Sequence, residues 1–487
     1  MSKPNYPGGE TPKNVFLITF FDGGLPKQLG PTRDKIREFL AMQGLHVDVE
    51  ISVLGYFRQV IFPISASDRA VQTYMEAENG IIGCLNRNLT SRWEGLSLFN
   101  IGFTQDKITP TIVVYVPPTM SFDWATLRMH ILALTISYPD INVAVHPGAV
   151  TGAVDTESLP GAPGDSIGTK GSGSSGTLGG YFDLEIHGET DRKRASALGS
   201  SPTHDDESRC EVMSPSEEDV TTDIDQINAS RDNLKVKKAE LVKKDDEYKS
   251  LGISKKSLSS RITEVTQSIQ IQEEKLQKVK NSLPYTLGKV LLSSGTAWYD
   301  GQVSDWAFVE LEAGRLAIPN TMPLYNKAQA RDFRNQPSVA EAGAPATGFG
   351  KIQLGQIYLK NGRATGVTVG VCNGVHLFVP KHVRHVRGIS WTPLLPLDNS
   401  FPGSREFLII PTSGTAGFCQ PGDSGSLVYD IHGKICGLLF GGLKDELVAA
   451  PAVVTAFPNI IEAIKEKGGV LTDPNVPPYE EIEDCSY

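Results

Sequence analysis

The 487-residue sequence has only six cysteines, at positions 84, 210, 372, 419, 436 and 485, and no two of them form a C-x-x-C pair. With no His/Cys cluster at ligand spacing, neither a zinc site nor another metal is expected. The scattered thiols read as reduced, with Cys419 and Cys436 packing as small apolar side chains. No apolar run is long enough to span a bilayer, and the opening Met1 to Glu10 lacks the apolar core of a signal peptide. A cytoplasmic protein without membrane contact is therefore expected. Long basic runs are missing as well, and the formal net charge of −10 argues against nucleic acid as the main partner. No phosphate-cradling glycine motif is found in the first 150 residues, and no cofactor is expected.

At this length several cores can form, with an apolar content of 40% and a charged content of 21% that are ordinary for globular chains. Residues 1–150 read as an α/β domain whose function is not legible. Val15 to Phe21 has the composition of a buried strand, Thr32 to Met42 of an amphipathic helix, Leu96 to Phe103 and Thr111 to Val116 of paired strands, and Asp123 to Ser137 of a second helix. His130 and His146 in this region read as surface or core histidines. Residues 151–176 are rich in glycine, serine and proline and read as a flexible linker.

Between Asp223 and Leu283 proline is absent and glycine occurs once, at Gly252. Ile227, Leu234, Leu241 and Tyr248 recur every seven residues. After the break at Leu251 to Ser254, Leu258, Val265, Gln272 and Val279 interleave with Ile262, Ile269, Leu276 and Leu283. That is a heptad seam, read as an antiparallel helical hairpin with Ser254 as a possible N-cap. A coiled coil with a partner, or self-association, is the alternative, because Arg231, Lys238 and Asp245 weaken the first half of the seam. The last residues, 471–487, are proline-rich and then acidic, and read as a disordered tail.

The most informative stretch is Phe418-Cys419-Gln420-Pro421-Gly422-Asp423-Ser424-Gly425-Ser426-Leu427-Val428. A serine between glycines at the mouth of a turn entering an apolar strand presents its hydroxyl clear of the backbone. Gly422 can take a positive φ, so its N–H and that of Ser424 can converge on one spot as an oxyanion hole. A plain Gly/Asp/Ser hairpin turn is the competing reading.

Gly-Asp-Ser-Gly-Ser, followed by an apolar strand and the pair Gly441-Gly442, resembles the nucleophile segment of trypsin-like, chymotrypsin-fold serine peptidases. The resemblance covers residues 177–470, and the overall plan is similar to that of large fungal proteins carrying such a domain. It implies a double β-barrel with the helical segment 223–283 inserted in a loop. Ser304-Asp305-Trp306-Ala307-Phe308 is similar to the family's orienting-carboxylate segment. Tyr358 to Gly374 is similar to a second-barrel hairpin of bacterial and intracellular members, in which Arg363 reads as structural.

The resemblance implies a serine endopeptidase acting on protein or peptide substrates, with Ser424 as nucleophile, His204 as base and Asp305 as orienting acid. Removing residues 224–283 from the 101 positions between His204 and Asp305 leaves 41, close to the roughly 45 that separate these roles in chymotrypsin. Only Thr203-His204 matches the family's histidine motif. His187 fits less well, and loss of the histidine, leaving a pseudo-peptidase scaffold that binds a partner, is the alternative. Phe418 maps near the base of the substrate pocket, and Phe440, Gly441 and Gly442 to one wall. No acid occupies that base, so a preference for Lys or Arg is not implied. No Ile-Val segment suited to activation cleavage is found, so the site is expected to form without processing.

Overall fold

A computed structural model of the chain describes residues 2–3, 13–20, 29–53, 60–90, 92–117, 120, 122–152, 166–170, 176–187, 193–198, 211–251, 256–281, 286–294, 297–312, 319–380, 385–386, 389–390, 403–412, 417–445 and 451–473. Ser254, His204, most of the linker and the tail from residue 474 onward lie outside these. Strand β1 (Lys13–Phe20) and helix α1 (Leu29–Met42) precede β2 (Asp48–Val53), which pairs with β1 in parallel.

Next come β3 (Val60–Phe62), α2 (Arg69–Leu89), β4 (Gly95–Thr104), β5 (Lys107–Val116), α3 (Trp124–Leu134) and β6 (Asn142–Gly152). Asp68 caps α2 by accepting from Ala70 N–H at 2.8 Å, which satisfies one of the donors a helix start leaves open. Val71, Tyr74, Ile81 and Leu85 then fall on one buried face of the helix. Alternate residues of β5 go to different cores. Ile112 and Val114 pack against the helices, whereas Val113 and Tyr115 pack against strands from the far end of the chain. A strand buried on both faces carries an unbroken apolar run, as Ile112 to Val116 does.

The middle of the chain supplies β7 (Ser166–Thr169), β8 (Gly176–Thr177), β9 (Tyr181–Ile186), β10 (Lys193–Leu198) and β11 (Glu211–Met213), then α4 (Glu217–Ser250) and α5 (Lys256–Asn281). Within the glycine-rich stretch, β7 is ordered because Ile167 enters a core with Tyr181, Leu287 and Val309. The two helices pack on each other through Leu241, Leu258, Val265 and Ile269, with Leu234, Tyr248 and Ile262 beside them. Among the described residues no helix is long and apolar enough to cross a membrane.

After the helices come β12 (Thr286–Ser293), β13 (Ala307–Leu311), β14 (Ile357–Gly362), β15 (Gly366–Cys372), β16 (Leu377–Pro380), β17 (Gly403–Pro411), β18 (Leu427–Asp430), β19 (Lys434–Asp445), β20 (Ala452–Ala456), α6 (Phe457–Glu466) and β21 (Gly469–Asp473). One eight-stranded sheet runs β21-β9-β10-β13-β12-β11-β7-β8. A twelve-stranded sheet contains a closed ring of six, β14-β15-β17-β20-β19-β18 and back to β14, every pair antiparallel. The protein is thus a mixed helix and sheet structure with a closed six-stranded barrel and further strands.

The strands of residues 60–152 are continuous with the barrel's sheet. β4 meets β16 at Leu96 and Phe378, and β6 lies antiparallel on β19, with Gly152 opposite Gly441 and Gly148 opposite Asp445. Tyr115, Phe99 and Ile101 share a core with Leu377, Leu408 and Phe440, so this segment and the barrel bury apolar surface together.

Candidate active site

The Ser424 turn joins the barrel to the eight-stranded sheet. Gly422 and Gly425 sit at φ of 98° and 97°, a region where a Cβ is strained. The turn is closed by Asp423 N–H donating to Gln420 O at 3.1 Å and by Ser426 N–H donating to Asp423 O at 3.1 Å. Gly425 N–H reaches Leu439 O at 2.7 Å, which ties the turn to β19. Ser424 is 5% exposed, and its Oγ donates to Phe440 O at 3.0 Å. From the other sheet, Thr177 N–H donates to Ser424 O at 2.6 Å and Thr177 Oγ1 to Gly422 O, also at 2.6 Å.

Asp423 points inward. Its Oδ2 accepts from Lys360 Nζ at 3.0 Å, Thr365 Oγ1 at 2.6 Å and Gln420 N–H at 3.0 Å, and its Oδ1 from the N–H groups of Ala364 and Thr365 at 2.9 and 3.2 Å. Lys360 also donates to Thr365 Oγ1 and Gly366 O. Burial pulls the Lys360 ammonium below its usual pKa, and the charge of Asp423 opposes that pull. A cation from within the chain therefore holds the acid beside Ser424. Gly362 lets these groups approach, since a Cβ there would run into the Asp423 carboxylate.

Asp305 is 2% exposed and lies two residues before the first residue of β13. Its neighbours are pinned. Trp306 N–H donates to Ser294 Oγ at 2.9 Å, Trp306 Nε1 to Ser304 Oγ at 3.0 Å, and Val303 N–H to the buried Glu406 Oε1 at 2.7 Å. An acid in this setting is held at one place by its backbone.

The histidines stand as follows. His204 lies outside the described residues. His187 is exposed, its N–H donating to Gly468 O at 2.8 Å. His376 packs beside Phe407 and is pulled below its usual pKa by burial. It lines an open cleft of about 480 Å³ with Asp300, Lys351 and Arg405. His432 is exposed, with Nδ1 3.0 Å from Ser338 O.

The four pocket positions are interior. Phe418 is enclosed with Cys372, Ile409 and Cys419, and Phe440 with Val303, Leu443 and Val453. Gly441 and Gly442 are paired on both sides, with Val453 and Ala452 on β20 and with Gly152 and Thr151 on β6. Cys84, Cys372, Cys419 and Cys436 are buried thiols, and burial pushes those of Cys372 and Cys419 up to about 12, so they stay protonated.

Sequence reasoning missed Lys360 and Thr177. The first left a signal: Tyr358, Lys360 and Gly362 occupy one face of β14, and a lysine on a buried face needs an acid. The second left none, because its contact depends on where β8 crosses the turn.

No protein-family model and no curated protein matches the sequence. Solved structures that align with it include a glutamic acid-specific serine protease, at 14% identity and TM-score 0.30, over 64% of this chain and 99% of that one. Thermobifida fusca protease A aligns at 13% identity and TM-score 0.30, over 64% and 97% of the two chains. Cellulomonas bogoriensis chymotrypsin aligns at 18% identity and TM-score 0.24, over 38% and 75%. At these TM-scores the likeness adds nothing to what the strand pairing itself establishes, a closed barrel with Ser424 on a glycine-flanked turn.

Proposed function

We propose that the chain is a serine endopeptidase of the trypsin-like type. Ser424 attacks the peptide carbonyl, His204 takes and returns the proton, Asp305 orients the imidazole, and the N–H groups of Gly422 and Ser424 receive the oxyanion. In this reading the eight-stranded sheet is the first barrel, and α4 and α5 form a hairpin inserted between the histidine and the acid. No cofactor is required. Buried cysteine thiols are in keeping with a reducing compartment and hence a cytoplasmic location.

The observation that carries the reading is the Ser424 turn. Two glycines at positive φ frame it, and Lys360 fixes the neighbouring Asp423 from inside. A fluorophosphonate probe tests it, because only an activated serine reacts. The full-length protein is expected to be labelled, and Ser424→Ala to lose the label with little change in melting temperature. Labelling that survives Ser424→Ala moves the nucleophile elsewhere.

A second reading, a pseudo-peptidase scaffold, is favoured by one observation. The β19 backbone over residues 441–445, beside the serine, is already paired with β6, so an extended peptide adding a strand there has to displace part of the chain. Failure of the wild-type protein to react with the probe or to cut a diverse peptide library favours this reading.

A further inference from the structure

Helix α4 begins inside the protein. Ser216 caps it, with Oγ accepting from Asp219 N–H at 3.1 Å. The Asp219 carboxylate is buried and accepts from Ser166 Oγ and from Arg363 Nη1. Arg363 is buried too, and its Nε and Nη2 meet no acceptor among the described residues. Asp219 is therefore what anchors this guanidinium, and an arginine fixed in that way immobilises the backbone that carries it.

That backbone is the turn between β14 and β15, residues 363–365, and it leads directly to the nucleophile. Arg363 N–H donates to Thr177 Oγ1 at 3.2 Å, and that same hydroxyl donates to Gly422 O at 2.6 Å. Ala364 and Thr365 donate their N–H groups to Asp423 Oδ1. One three-residue turn thus grips both Gly422 and Asp423, the residues between which the donors of Gly422 and Ser424 are aimed.

We propose that Asp219 and Arg363 are positioning residues for the Ser424 turn, so that the first turn of α4 belongs to the same working unit as the nucleophile. The proposal rests on the peptidase reading. Neither side chain is placed at the reacting atoms; both act through Thr177, Ala364 and Thr365. Their contribution is to the aim of the oxyanion donors, and one such donor is worth about 10²–10³ in rate.

The test uses the full-length chain with Arg363→Gln, Asp219→Asn, the double variant, and Leu85→Ala in α2 as a destabilised control, since the core around Leu85 contains no residue of the turn. The rate of fluorophosphonate labelling is measured together with hydrogen exchange over residues 418–428. Each single variant is expected to slow labelling by about 100-fold, and the double variant by little more, since residues acting as one unit are not additive. Exchange over 418–428 rises in all three and stays at the wild-type level in Leu85→Ala. Should Arg363→Gln not fold, Arg363→Lys and Asp219→Glu carry the same comparison with smaller steps. Labelling and exchange that simply follow the melting temperature, Leu85→Ala included, overturn the proposal, as does an unchanged 418–428 segment in Arg363→Gln. If the wild-type protein takes no label, the peptidase reading fails, and the exchange measurement alone decides whether Asp219 and Arg363 hold the turn.

Discussion

Lys360 Nζ lies 3.0 Å from Asp423 Oδ2, and neither side chain has any exposed surface. A charge pair so deep costs desolvation and recovers it only while both partners are present. Lys360→Met is therefore expected to destabilise the protein by about 3–5 kcal/mol, because the Asp423 carboxylate is left buried and charged. Adding Asp423→Asn should restore much of that loss. Urea unfolding of the two variants measures both steps, and a double variant no better than the single one shows that the cation does more than neutralise the acid.

Glu406 offers a pH test. Burial pushes its carboxyl up to about 8, against the weaker opposing effect of the hydrogen bond from Val303 N–H. Unfolded, the group titrates near 4.3. Between these values the folded state holds the extra proton, so stability falls as pH rises through about 4 to 8, by an amount on the order of a few kcal/mol. Glu406→Gln should flatten that slope and raise the melting temperature more at pH 8 than at pH 5. Equal shifts at the two pH values would falsify the assignment of the slope to this residue.

The seam between α4 and α5 predicts that the two helices can be removed together. Leu241, Leu258, Val265 and Ile269 bury their side chains among one another. Replacing residues 223–283 with a short Gly/Ser loop keeps Asp219 and should leave near-ultraviolet circular dichroism intact while far-ultraviolet helix signal drops. A change from oligomer to monomer on gel filtration would instead show that the seam also serves association and would favour the scaffold reading.

If His204, Asp305 and Ser424 work as one unit, His204→Ala and Asp305→Asn should each lower peptidase activity by about three orders of magnitude or more, and the two together little further. Additive losses measured on a peptide substrate would mean that the acid and the imidazole act separately.

Local chemistry made the Ser424 turn legible. Gly422 and Gly425 are needed where φ is positive, and both do adopt it. The hairpin of β14 and β15 was legible for a similar reason, since apolar patterning and glycine punctuation act over a few residues. The start of α4 was placed six residues late, although Ser216-Glu217-Glu218-Asp219 is a cap followed by acids that suit a helix N-terminus. What stayed hidden depends on distant partners. Lys360 and Asp423 are 63 residues apart, and Asp219 and Arg363 are 144 apart. Nothing within β6 names β19, almost 300 positions away, as its neighbour.

The seating of β6 on β19 bears on how the protein can be cut. A fragment beginning at residue 177 matches the extent of the peptidase resemblance and looks like a natural boundary for expression. It would strip the backbone partners from residues 441–445 and expose Leu377, Leu408 and Phe440, which now share a core with Phe99 and Tyr115. Bare strand backbone flanked by apolar side chains recruits other chains. Such a fragment should be recovered as aggregate, and residues 60–152 act toward the barrel as a built-in solubilising cover.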